Sequence, residues 1–124
     1  MQLWGVAMKN IDKIKNEQIV KDIKERILKI LNEMGISVRT IILFGSRARG
    51  DFKKESDFDL LIILNKDILP KEKKEIWYLV YKTLHKYYQT IPFDIIVKSA
   101  QSFEQEKSVV NTISNEVYLE GVEI

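Results

Sequence analysis

The sequence predicts an α/β (α+β) domain in which a small mixed β-sheet is flanked by helices, in the order α-β-α-β-α-β-α. Three apolar runs rich in β-branched residues have the length and composition of buried strands: 38–44, 57–64 and 91–97. Apolar residues that recur at three- and four-residue steps indicate amphipathic helices at about 16–34, 70–88 and 99–122. A Gly-Ser turn after the first strand predicts the remaining, short helical turn.

Composition limits the class of protein. A chain of 124 residues is long enough for one domain, 1–124, and too short for a second substrate-binding domain. Its 45% hydrophobic and 31% charged residues are typical of an ordinary soluble globule. The net charge is only +2 and the charges are scattered, so no direct nucleic-acid binding is expected. The chain has no cysteine, and the reducing cytoplasm is the expected compartment.

The first ten residues are predicted to form an extra edge strand or an ordered tail. A subunit contact through Trp4 is the alternative. The first lysine, Lys9, follows the apolar residues instead of preceding them, which argues against a signal peptide. No run of the sequence reaches the length of a transmembrane helix, so no membrane partner is expected.

The first helix is predicted from Asn16 to Met34, and Gly35 stands where a left-handed helix cap belongs. The strand 38–44 then leads into Gly45 and Ser46. A strand that ends in Gly-Ser and passes into a helical turn directs backbone N–H groups and a small hydroxyl at one point, which suits a phosphate chain. Gly45 and Ser46 are therefore candidate nucleotide-binding residues.

Asp57 and Asp59 open the second strand. Residues i and i+2 of a strand share a face, with Cα atoms roughly 6–7 Å apart, so both carboxylates could ligate one magnesium ion or a close pair of metals. A helix cap or an arginine could satisfy one of the two carboxylates, but a metal better explains the pair. Beyond Leu60 both faces of the strand are apolar, which predicts that it is buried.

Arg47 and Arg49 lie in the loop between these two features. Arginines in a charged loop often contact only water or a nearby carboxylate. Beside a phosphate site, a planar guanidinium can bind a triphosphate and neutralise charge in the transition state. We expect one of these two arginines to contact nucleotide.

Pro70 fits the first position of the third helix, which is predicted to end near Tyr88. The strand 91–97 that follows is apolar except for Asp94. Because an isolated buried carboxylate is costly, Asp94 should meet a cation, a hydrogen-bond donor or water. In the last helical segment, Ser102 and Gln105 have the spacing of a capping box, and Gly121 would end the closing helix, 109–122.

Gly45-Ser46, ten intervening residues and then Asp57-Phe58-Asp59 resemble the G-S-x10-D-x-D signature of polymerase-beta-type nucleotidyltransferases. The run Gly-Ser-Arg-Ala-Arg-Gly followed by Ser-Asp-Phe-Asp-Leu is most similar to the small prokaryotic branch, the minimal nucleotidyltransferases often paired with HEPN-domain toxins. The resemblance extends over about residues 20–120. It implies a nucleotidyltransferase fold and makes Asp94 the third carboxylate of the metal site.

The resemblance also implies a reaction. Mg²⁺ or Mn²⁺ held by Asp57, Asp59 and Asp94 would bridge the triphosphate of ATP, and an acceptor hydroxyl would attack the α-phosphorus. Within this branch the acceptor is a tyrosine of a HEPN-type ribonuclease toxin, which receives AMP. Two alternatives stay open: a non-catalytic module that masks a toxin, and an adenylyltransferase acting on a small molecule. A polymerase or tailing enzyme is disfavoured, since the chain has no separate domain for holding nucleic acid.

Overall fold

The structure is a computed structural model that describes residues 2–124, with side chains from residue 13 onward. A long N-terminal helix precedes three strands, and shorter helices separate and follow them. The elements are α1 Gln2–Glu33, β1 Val38–Phe44, α2 Ser46–Arg49, β2 Phe58–Leu64, α3 Pro70–Tyr87, β3 Phe93–Ser99, α4 Ala100–Glu106, α5 Ile113–Glu120 and β4 Val122–Glu123. In this part of the chain, every helix is too short or too polar to span a bilayer.

The four strands form one mixed sheet in the order β3-β2-β1-β4. Strand β1 runs antiparallel to both β2 and β4, whereas β2 and β3 are parallel. The register pairs Asp59 with Phe44 of β1 on one side and with Asp94 of β3 on the other. The predicted mixed sheet flanked by helices is therefore confirmed.

The central strand β2 is buried on both faces, as its continuous apolar run predicts. On one face, Leu60 and Ile62 pack with side chains of α1 and α3, among them Ile23, Ile27, Ile76 and Val80. On the other face, Leu61 and Ile63 pack with Phe103 of α4 and Val117 of α5. Asp59 shares this second face, because it is two residues before Leu61.

Three sequence-based expectations about the two ends of the chain are corrected. The backbone is helical from Gln2, so residues 2–10 extend α1 and form no edge strand; no proline interrupts this stretch. The side chain of Trp4, and any subunit contact through it, lies outside the described residues.

The closing helical segment is broken between α4 and α5, where Asn111 has a φ of 67°. The side chain of Ser99, not Ser102, caps α4 by accepting a hydrogen bond from the Ser102 backbone N–H.

The short strand β4 was not predicted. Its two residues pair with Ile42 and Leu43 of β1 and so complete one edge of the sheet. Two residues are too few to give an alternating pattern, and their conformation is fixed by pairing with a strand distant in sequence.

Candidate active site

The turn between β1 and α2 depends on the backbone freedom of Gly45. This residue has φ 72° and ψ −158°, a combination that a residue with a Cβ rarely adopts. Its carbonyl accepts hydrogen bonds from the N–H groups of Ala48 and Arg49, both at 3.1 Å. The N–H groups of Ser46 and Arg47 stand at the start of α2, where the helix offers them no acceptor. The turn therefore offers backbone donors of the kind that bind phosphate oxygens.

Gly45 also lies directly against Asp59. A Cβ built on Gly45 would overlap Oδ2 of Asp59 and would lie 3.2 Å from its Cγ. The pairing of Phe44 with Asp59 across β1 and β2 brings about this approach. The predicted phosphate-binding turn and the predicted metal-binding strand thus meet at a contact that only glycine permits.

Asp59 and Asp94 are paired neighbours on one face of the sheet, and Asp57 lies just before the first residue of β2. Burial raises the pKa of Asp59 to about 6, and the nearby charges of Asp94, Asp57 and Glu116 contribute to this rise, while Arg49 opposes it. The side chain of Asp59 is half-buried, whereas Asp57 and Asp94 are exposed. The burial expected for Asp94 is therefore wrong: β3 is an edge strand, so water reaches this carboxylate.

The donor set suits a hard divalent cation, because Mg²⁺ and Mn²⁺ prefer carboxylate oxygens. Within residues 13–124, however, no three acidic or histidine side chains already converge as a metal cage. The exposed Asp57 and Asp94 side chains have rotamer freedom to turn towards Asp59. A cation between them would also offset the repulsion that raises the pKa of Asp59.

Arg47 is held inside the fold. Its side chain is buried, and its guanidinium donates to Asn16 Oδ1 at 3.0 Å, to the Lys54 carbonyl at 3.0 Å and to the Ser56 carbonyl at 3.0 and 3.2 Å. The guanidinium also stacks on the ring of Phe58, 4.3 Å from its centroid. These contacts fasten the loop between α2 and β2 to the long helix α1.

Arg49 is placed differently from Arg47. Its side chain is exposed and forms long ion pairs with Asp51 at 3.4 Å and with Glu120 of α5 at 3.3 Å. It is also close enough to Asp59 that its positive charge partly offsets the rise in the pKa of that carboxyl caused by burial and by the nearby carboxylates. Exposed ion pairs of this kind are weak, so Arg49 is the arginine whose guanidinium is available to an incoming anion.

Sequence reasoning missed two residues of this region. Asn16 is a buried polar residue four positions before Val20 on the apolar stripe of α1, which is a signal that could have been noticed. Glu116 lies on α5 and adds negative charge near Asp59. No sequence signal identifies Glu116, since its proximity arises from the packing of α5 on the sheet.

Comparisons with known proteins identify the family of this chain. The model of the family described as "Nucleotidyltransferase domain" matches residues 24–117. The chain is 33% identical over 107 residues to "Putative protein adenylyltransferase MJ0141" of Methanocaldococcus jannaschii, covering 86% of this chain and 96% of that protein.

Solved structures are similar in fold. The crystal structure of "a putative nucleotidyltransferase from Sulfolobus solfataricus" has a TM-score of 0.55 at 21% identity, covering 93% of this chain and 84% of that one. A toxin-antitoxin crystal structure with AMP-PNP has a TM-score of 0.53 at 18% identity, covering 80% of this chain and 69% of that one. A mutant form of the toxin-antitoxin MntA-HpeT has a TM-score of 0.52 at 18% identity, covering 82% of this chain and 70% of that one.

Proposed function

Because the chain belongs to the nucleotidyltransferase domain family, we propose that it transfers AMP from ATP to a tyrosine hydroxyl of a HEPN-type ribonuclease toxin and so acts as an antitoxin. The observation that carries this proposal is the contact of the Gly45 turn with Asp59, whose strand neighbour is Asp94. It unites a phosphate-binding turn with a carboxylate cluster. We propose the cytoplasm, where ATP is present, as the site of the reaction.

Each residue has a proposed role. Gly45 and Ser46 bind the outer phosphates through backbone N–H groups and the hydroxyl, and Arg49 adds a positive charge. Asp57, Asp59 and Asp94 would hold Mg²⁺ or Mn²⁺, which supplies charge neutralisation and alignment. Arg47 supports the site indirectly, by fixing the loop that leads to Asp57.

The transfer is a displacement at the α-phosphorus of ATP. The phenolic oxygen of the acceptor forms a bond to this phosphorus, and the bond from the phosphorus to the oxygen bridging to the β-phosphate breaks. Pyrophosphate leaves with that oxygen, and the phenolic proton passes to the carboxylate of Asp94. The product is an AMP-tyrosine phosphodiester.

A protein acceptor is supported by two observations. Asp57 and Asp94 are exposed, so a hydroxyl carried by a second protein has access to them. The relative that is 33% identical is named as a protein adenylyltransferase, and two solved structures of similar fold are toxin-antitoxin proteins. Masking of a toxin without catalysis is the second candidate.

Labelled ATP distinguishes these candidates. The protein is mixed with its cognate HEPN-type toxin, Mg²⁺ and ATP labelled in the α- or the γ-phosphate. We expect α label on the toxin tyrosine and γ label in pyrophosphate. Transfer of γ label would identify a kinase. If neither label moves and Asp59→Asn neutralises the toxin as well as the wild type does, masking is the function.

A further inference from the structure

The strand that carries Asp94 is an open edge of the sheet. Strand β3 pairs with β2 on one side, and its other side has no partner strand in the described part of the chain. A groove of about 400 Å³ on another surface, beside α1 and β4, contains none of the three aspartates. The groove beside β3 has a volume of about 360 Å³ and is lined by Pro70, Lys73, Lys74, Trp77 and residues 95–98. The first residue of β3 in its lining, Ile95, directly follows Asp94.

The backbone of β3 offers hydrogen bonds along this edge at alternate residues. In the parallel ladder Phe58 pairs with Phe93, and the Phe58 N–H donates to the Pro92 carbonyl. Because alternate residues of a strand in a parallel ladder hydrogen-bond to the same neighbouring strand, the N–H groups of Asp94, Ile96 and Lys98 point towards β2. The N–H and carbonyl groups of Phe93, Ile95 and Val97 therefore point outward, where an added strand would pair with them.

The charged residues that line this groove are all lysines. Lys73 and Lys74 are exposed on α3 and form no ion pair with the described part of the chain. Lys98 is already paired with Glu106 at 2.7 Å. The ring of Trp77 is 40% exposed beside them and offers an apolar contact. The groove is thus complementary to an extended segment that carries acidic and apolar side chains.

We propose that the acceptor protein docks by adding an extended, acidic segment to the open edge of β3, with its acceptor tyrosine opposite Asp94. This inference rests on the proposed function and specifies the partner surface for the same site. Backbone pairing supplies binding in this mode, and side-chain contacts supply specificity. In this register the added strand brings the tyrosine hydroxyl beside Asp94, whose strand neighbour is Asp59.

Because side chains alternate between the two faces of a strand, the proposal predicts where the acidic residues of the added segment lie relative to its tyrosine. Opposed residues of neighbouring strands point to the same face, so a tyrosine opposite Asp94 points to the face that carries Asp59. Residues at odd offsets from that tyrosine point to the opposite face, where α3 presents Lys73 and Lys74. Acidic side chains should therefore lie one and three residues from the tyrosine, and not two and four.

Two synthetic peptides of equal composition test this register. Both carry one central tyrosine among valines and threonines; glutamates stand at odd offsets in the first peptide and at even offsets in the second. Binding is measured without ATP by the fluorescence of Trp77 in a Trp4→Phe background. We expect the odd peptide to bind about tenfold more tightly, and the Lys73→Glu/Lys74→Glu variant to lose that preference. Lys82→Glu/Lys86→Glu, which reverses the same number of charges on the same helix but outside the groove, is the matched control.

Hydrogen exchange identifies the edge itself. The odd peptide should slow exchange of the outward N–H groups of Phe93, Ile95 and Val97 and leave those of Asp94, Ile96 and Lys98 unchanged, since these are already bonded within the sheet. Equal binding of the two peptides, or no slowing at the outward amides, overturns the proposal.

Transfer is measured separately, with labelled ATP and the odd peptide. Docking without movement of α label contradicts the proposed adenylylation and leaves the docking site standing. Transfer to the toxin that is unchanged in Lys73→Glu/Lys74→Glu contradicts the docking site and leaves the proposed function standing.

Discussion

Gly45 and Asp59 are so close that a methyl group on Gly45 would overlap Oδ2 of Asp59. The first residue ends a strand that leads into a turn, and the second belongs to the neighbouring strand of the same sheet. This contact joins the two halves of the proposed site. Any side chain at position 45 displaces either the turn or the carboxylate.

Gly45→Ala should slow transfer strongly because it separates the turn from Asp59. A displacement of about 1 Å at such a site lowers the rate by roughly 10²-fold. Gly35→Ala is the matched control, since Gly35 has the same φ of 72° but a Cβ added to it would have no atom within 4 Å. Both variants should lose about 1–2 kcal/mol of stability from the positive φ. Equal activity of the two variants would show that the contact with Asp59 is unimportant.

Asp59→Asn should abolish activity while the metal-free protein becomes more stable. The substitution keeps the side-chain volume and removes a charge that burial and neighbouring carboxylates disfavour. After allowance for solvent screening, the gain in the free energy of unfolding is on the order of 1 kcal/mol at neutral pH. Urea unfolding curves of both proteins, recorded with EDTA and again with Mg²⁺, measure this difference in the free energy of unfolding.

Added Mg²⁺ should stabilise the wild type and leave Asp59→Asn unchanged, because the variant lacks a proposed ligand. Asp57→Asn should also remove Mg²⁺-dependent activity without unfolding the domain. Near-wild-type turnover of either variant at saturating metal would refute the assignment of these ligands.

Asp94→Asn should lower the rate of transfer by about 10²–10⁴-fold and affect ATP binding less than the changes at Asp57 and Asp59 do. The reason is that Asp94 is proposed to take the acceptor proton as well as to bind metal. ATP affinity and single-turnover rates of the three variants provide the comparison. An equal loss of ATP affinity in all three would assign Asp94 to metal binding alone.

Arg47→Lys should lower stability, whereas Arg49→Lys should lower ATP affinity. Arg47→Lys removes buried hydrogen bonds to Asn16 and to two carbonyls, so the free energy of unfolding should fall by about 2–4 kcal/mol. Arg49→Lys should change it by less than about 0.5 kcal/mol, because its ion pairs are exposed. Its ATP affinity should instead fall roughly tenfold. Unfolding curves and ATP titrations of both variants decide which arginine serves the nucleotide.

The sequence by itself determined the three main strands, most of the helices and the candidate residues of the site. Strand β1 was predicted over the residues it occupies, since a β-branched apolar run bounded by Gly45 leaves few alternatives. The long apolar run after Asp59 likewise identified a strand buried on both faces. Spacing alone was sufficient to single out Gly45, Ser46, Asp57 and Asp59, because local backbone geometry determines which side chains share a face.

Only the tertiary structure decided how these residues meet and which of them are accessible. The pairing of β2 with both β1 and β3 brings Gly45 and Asp94 to Asp59, and the edge position of β3 leaves Asp94 exposed. The contacts of Arg47 with Asn16, and the closeness of Glu116 to Asp59, join residues far apart in sequence. Local sequence propensity does not predict such contacts, since they form only when separate helices and strands pack on one core.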